Sequence, residues 1–176
     1  MVEARDASRA AHLQACFEKI KDLPFDYGKV GSVLEALAVV DMGARYPAPK
    51  YSIRHGVEYQ DSTGRTAGEI DLIVWDEEQQ RAVRVYEVKL SGNPERAMQT
   101  AKEQIKRLKE HVKEGNISRF LDPVDRGRTY TVEQFRNVEK WGYYGCKGMD
   151  WEEEYDITRE EGDILQAKLL LYKRGG

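Results

Sequence analysis

Cysteine is nearly absent. Cys16 and Cys146 are the only two, too few for a disulfide scaffold and with no Cys-x-x-Cys pair to suggest zinc. Histidine is equally scarce: His12, His55 and His111 are scattered, and none lies four residues from another, which argues against a histidine-built metal site. Any bound metal is therefore expected to be a hard cation held by oxygen. No apolar run approaches the ~20 residues that cross a bilayer, and the opening MVEARDASRA has no apolar segment behind its charges. The expectation is a cytoplasmic protein without a membrane partner. An excess of basic residues is missing too. The net charge of −3 argues against a chain that coats nucleic acid by charge alone, so any phosphate would have to be met by local patches.

What remains is a chain of 176 residues, 40% hydrophobic and 34% charged, long enough to bury a core of its own and expected to form a single domain. Leu13, Phe17 and Ile20 stand at helical spacing. After Pro24 and Gly28, Val33, Leu34, Leu37, Val40 and Met42 repeat with near-helical period, predicting a buried helix opened by Ser32, closed by Gly43 and Pro47, and carrying one acid, Glu35. The period then changes. Tyr51 to Tyr59, Glu69 to Trp75 and Ala82 to Leu90 are rich in Ile, Val, Tyr and Trp and predict a three-stranded meander joined by DSTGR and DEEQQR.

Past Asn93-Pro94 a second amphipathic helix is predicted from Ala97, Ala101, Ile105, Leu108 and Val112, ending at Gly115-Asn116. Further on, TVEQFRNVEKWG suggests a short helix capped by Thr131, YYGCKGMDWEEEYD has no clear period, and ILQAKLLLY (164–172) is expected to be a late buried strand.

Charge inside the meander is the informative feature. Asp71 sits in GEIDLIVW, while Glu87 and Lys89 sit in VYEVKL, among residues that otherwise read as core. Alternation places Glu87 and Lys89 on one face, and likewise Glu69 and Asp71. A turn centred on Glu78 and Gln79 brings Asp71 opposite Tyr86 or Glu87, so three charges crowd one end of a hairpin. Such charges are costly to bury unless paired or bound to metal. Phosphodiester hydrolysis supplies a reason for them: two carboxylates hold Mg²⁺ with water positions left open, and a lysine orients the water or meets the developing charge. An Asp71–Lys89 cross-strand ion pair on an exposed face is the plainer alternative.

GEIDLIV followed by VYEVKLS resembles the core motif of the PD-(D/E)XK nuclease superfamily, with wording similar to its Holliday-junction-resolvase-like and restriction-endonuclease-like branches. The resemblance covers Gly31 to about Val112. It implies an α/β fold with a restriction-endonuclease-like αβββαβ core at about 29–115, a central mixed sheet flanked by helices, and an extension at 116–176 that contributes the late strand. It also implies Asp71 and Glu87 as ligands of Mg²⁺ or Mn²⁺, Lys89 as the residue assisting the attacking water, and Glu35 as a further acid helping to hold metal or water. Gln104 matches a position of secondary importance in some branches; Glu69, from its strand face shared with Asp71, is either a third acidic ligand or a residue pointing to water. Ile70 stands where the motif has its proline.

Two uses of such a chain stay open. One is a metal-dependent deoxyribonuclease, an endonuclease more than an exonuclease, with RNA not separated from DNA by the motif and a homodimer suited to a double-strand cutter. The other is a non-catalytic module that keeps the fold to bind nucleic acid or a protein. Arg65, Arg81, Arg84, Lys102, Lys106 and Lys109 read as ordinary surface, the aromatics at 141–155 as core filling, and Glu152 to Glu154 as a run facing away from phosphate.

Overall fold

The structure is a computed structural model that describes residues 2–175. It is an α/β protein whose six-stranded mixed sheet has helices on its faces. Two helices, α1 (Val2–Ile20) and α2 (Gly31–Arg45), precede the meander β1 (Tyr51–Asp61), β2 (Thr66–Asp76) and β3 (Arg81–Lys89); then come α3 (Pro94–Glu114), β4 (Ile117–Leu121), β5 (Lys140–Cys146), β6 (Glu153–Tyr155) and α4 (Arg159–Gly175). The strand order is β4-β1-β2-β3-β5-β6. All pairs are antiparallel except β3 with β5, which is reached through a long connection, and β5 with β6, which run parallel although only residues 147–152 join them.

Two hydrophobic cores sandwich the sheet. Leu34, Leu37 and Met42 of α2 pack with Leu13 and Ile20 of α1 and Leu165 and Leu169 of α4 against Leu72, Val74, Tyr86 and Val88. Ile73, Trp75 and Val85 point the other way, toward Ile105, Leu108 and Val112 of α3 and Phe135. The N-terminal half of α3 packs differently: Ala97 and Ala101 belong to the first core. The helix thus passes from one core to the other across the end of the sheet. Asn93 starts it, its side chain accepting the Arg96 N–H at 3.2 Å, and Gly115 stops it with φ 68°.

Several expectations change. The stretch 164–172 lies inside α4 and is not a strand. A capping box starts that helix, the Thr158 hydroxyl accepting the Glu161 N–H at 3.1 Å while the Glu161 carboxylate accepts the Thr158 N–H at 2.9 Å. Leu165 and Leu169 are then buried four apart while Ile164 and Leu171 face solvent, a helical division. The extension's strands come instead from residues 117–121, 140–146 and 153–155. Thr131 does make a capping box with Gln134, but for a single 3-10 turn, Val132–Phe135. Helix α2 runs through Gly43 to Arg45, and no side chain caps its start at Val30.

Candidate active site

Both central strands turn over at one point. In β1, Ile53 packs against the first core whereas Val57 and Tyr59 belong to the second; in β2, Ile70 belongs to the second and Leu72 to the first. Regular alternation would keep residues two apart on one face, so the faces exchange between these positions. Gly56, at φ 65°, is where β1 makes the exchange. A left-handed backbone is accessible there because glycine has no Cβ. Asp71 lies opposite, since His55 pairs with Leu72 and Val57 with Ile70.

Beyond that point β2 and β3 part. Their main-chain pairing reaches Leu72 with Tyr86 and goes no further, although β2 continues toward Thr66 beside β1 and β3 continues to Lys89 beside β5. A fork opens between them. Asp71 holds its crotch, with Oδ2 accepting the Val88 backbone N–H at 2.9 Å. Glu87 is 1% exposed, its carboxyl lies against that of Asp71, and its Oε2 is buried without a hydrogen-bond partner. Leaving a carboxylate oxygen so is costly unless something outside the protein meets it. Lys89, half-buried, follows two residues later on the same strand face.

The fork is rich in acid. Burial first, then the charges of Asp71 and Glu69, push the Glu35 carboxyl on α2 up to about 8. Burial also raises Glu87 well above the usual carboxylate range, with Asp71 adding to it, and burial raises Asp71 despite the Val88 N–H. Glu69 stands exposed at the rim; partial desolvation, then Asp71 and Glu58, lift its carboxyl. Lys89 and Lys29 are the cations that offset this charge at Glu35 and Glu69.

The geometry therefore gathers Asp71, Glu87, Lys89, Glu35 and Glu69 at one place. Glu69 and Asp71 do not share a regular strand face, because the strand turns over at Asp71, between Ile70 and Leu72. Gln104 sits on the part of α3 that passes between the cores, its Oε1 buried and unpartnered. Gly56, Lys29 and Glu58 were not singled out from the sequence. Of these only Gly56 carried a signal, a glycine inside a strand, which marks a bend or a close approach.

Two adjacent carboxylates with one orphaned oxygen suit Mg²⁺, which binds through one or two carboxylates and keeps several waters. Among the described residues no three His, Cys, Asp or Glu side chains are grouped to hold an ion by themselves, so water or substrate oxygen would complete the shell. No family model, curated protein or solved structure compared with the chain matches it.

Proposed function

We propose that the chain is a divalent-metal-dependent nuclease of the PD-(D/E)XK type that hydrolyses phosphodiester bonds in DNA. The observation that carries this reading is the Asp71–Glu87 pair in the fork between β2 and β3, with its unpartnered buried oxygen and Lys89 beside it. The succession α2, β1, β2, β3, α3, followed after the edge strand β4 by β5 returning parallel beside β3, supports a restriction-endonuclease-like core.

In this reading Asp71 and Glu87 would hold Mg²⁺ or Mn²⁺, which when bound would supply a Lewis acid for the phosphoryl oxygen and for water. Each remaining group has a distinct task. Asp71 is held in orientation by the Val88 N–H, with its carboxyl against that of Glu87. Lys89 orients the attacking water and meets charge building on the phosphate as the water oxygen bonds to phosphorus and the bridging P–O bond breaks. Glu35 restrains the water positions from the α2 side, and the surrounding core excludes bulk solvent, which strengthens every charge interaction in the fork.

Cleavage of a labelled panel of duplex, single-stranded, flap and four-way-junction DNA, with an RNA arm, tests the proposal. Cutting in Mg²⁺ or Mn²⁺ that EDTA stops is the expected result. No cutting of any substrate in either metal contradicts it.

A further inference from the structure

Beside the fork, α3, the 3-10 turn and β5 enclose an open groove of about 610 Å³, lined by Lys102, Lys106, Lys109, Lys113, Trp141 and Tyr143 among others. The four lysines recur at steps of four, three and four, so they fall along one exposed face of α3. The lysine ion pairs among the described residues are made by Lys21, Lys140 and Lys147, and none of the four is engaged in one. Glu110 is the one acid among the lining residues. On a chain of net charge −3, this is a local excess of positive charge.

The floor is aromatic. Trp141 and Tyr143 are half-buried on β5, where they pair with Val85 and Glu87; Trp141 packs on the second core, and Tyr143 reaches both cores, its ring edge-on to Trp151 at 6.3 Å, while both line the groove. Lys109 Nζ lies 5.8 Å from the centre of the Trp141 ring. Two residues along a strand are ~6.6 Å apart, so the two rings suit two separate bases of a strand stretched past its stacked spacing of ~3.4 Å. The register leads straight into the fork: Tyr143 lies beside Glu87, close enough for that charge to help raise its hydroxyl's pKa, after burial.

We propose that this groove binds an unpaired nucleic-acid strand, with phosphates along the α3 lysines and bases against Trp141 and Tyr143. Its delivery of that strand to Asp71 and Glu87 rests on the nuclease reading; the binding itself does not. An unpaired strand fits better than a duplex because paired bases hide the faces that stack on aromatics. Two nearby arginines on β3 are engaged within the protein. Arg81 bonds Glu139 and the Asn137 carbonyl, and Arg84 bonds the Tyr86 hydroxyl.

The test is fluorescence anisotropy in EDTA with a labelled oligothymidylate of about 12 nucleotides and a hairpin duplex of equal length, using wild type, the Lys106→Glu/Lys109→Glu double variant and Trp141→Phe. Both lysines are exposed, so the double variant keeps its fold. Expected are at least ~10-fold tighter binding of the oligothymidylate than of the hairpin, and a log–log salt slope near −2.8 for four lysines at ~0.7 each. The double variant loses at least ~10-fold in affinity. Tryptophan emission is quenched on binding in wild type and not in Trp141→Phe. Equal affinity for the hairpin, unchanged binding by the double variant, or displacement by polyglutamate of matched charge overturns the proposal. Binding without cleavage in Mg²⁺ sinks only the nuclease reading; cleavage indifferent to the double variant sinks only the groove.

Discussion

The Asp71 carboxylate accepts the Val88 backbone N–H at 2.9 Å, so a side chain occupies the position where a main-chain carbonyl of β2 would otherwise continue the ladder to β3. The same carboxyl also meets that of Glu87. Asp71→Asn keeps an acceptor for Val88 but loses the charge. It is expected to leave the melting temperature within a few degrees and to lower cleavage at least ~10²-fold. Asp71→Leu also orphans the Val88 N–H, and costs a further ~1–3 kcal/mol in denaturant unfolding.

Glu87 gives the opposite sign in stability. Its carboxyl is buried, beside Asp71, with Oε2 unsatisfied, and burial holds its pKa up. A group whose folded pKa is raised loses stability as pH climbs from its unfolded value through the folded one, so the metal-free protein carries this cost at neutral pH. Glu87→Gln removes it. The variant is expected to melt above wild type in EDTA, by ~1–2 kcal/mol. Mg²⁺ should raise the wild-type midpoint and leave that of Glu87→Gln unmoved. Calorimetry with and without metal reads both.

Gly56 makes the strand exchange faces at φ 65°, and a Cβ there would meet only ordinary contacts, Glu69 Oε1 at 3.6 Å and Pro123 Cγ at 3.9 Å. Backbone strain, not crowding, decides the substitution. Gly56→Val is expected to cost ~1–2 kcal/mol and to displace Asp71 and Glu69 from the fork, lowering cleavage more than Gly56→Ala. Denaturant unfolding and cleavage rates on the two variants measure this.

The meander and α3 were legible because their apolar residues repeat cleanly and their ends carry turn and cap residues such as Asn93 and Gly115. The partnership of Asp71 with Glu87 followed from counting out from the turn, since the bulge between Val74 and Trp75 moves the register by a single residue. What escaped was nonlocal. Strand β5 is held by pairing to β3, and β6 by pairing to β5, which no period inside YYGCKGMDWEEEYD announces. The 164–172 run misled because its apolar density masked the Thr158–Glu161 capping signal just upstream. The acids at 152–154 proved structural: Glu152 pairs with Lys140, Glu153 with Arg45, and Glu154 accepts the Asp150 and Trp151 N–H groups.

Helix α1 is joined to α4 and the segment before it by Arg9. Arg9 bonds Glu161 on α4 through Nε at 2.8 Å and pairs with Asp156 at 3.0 Å. The guanidinium holds the Glu161 carboxyl down at about 2, against an ordinary value of 4.5. A depressed carboxyl contributes stability that is complete above its unfolded pKa and lost as pH falls, here between about 4.5 and 2. Arg9→Met is expected to cost ~1–2 kcal/mol at pH 7 and to flatten the stability profile across that acid window. Chemical denaturation at a series of pH values shows it.

The most direct test of the central claim is a single-turnover cleavage assay on the best DNA substrate in Mg²⁺, comparing wild type with Asp71→Asn, Glu87→Gln and Lys89→Ala purified identically. Wild-type cutting that each substitution lowers by ~10²-fold or more, with circular dichroism unchanged, is the result the fork predicts. Equal cutting by all four proteins, or none by wild type in either Mg²⁺ or Mn²⁺, contradicts it.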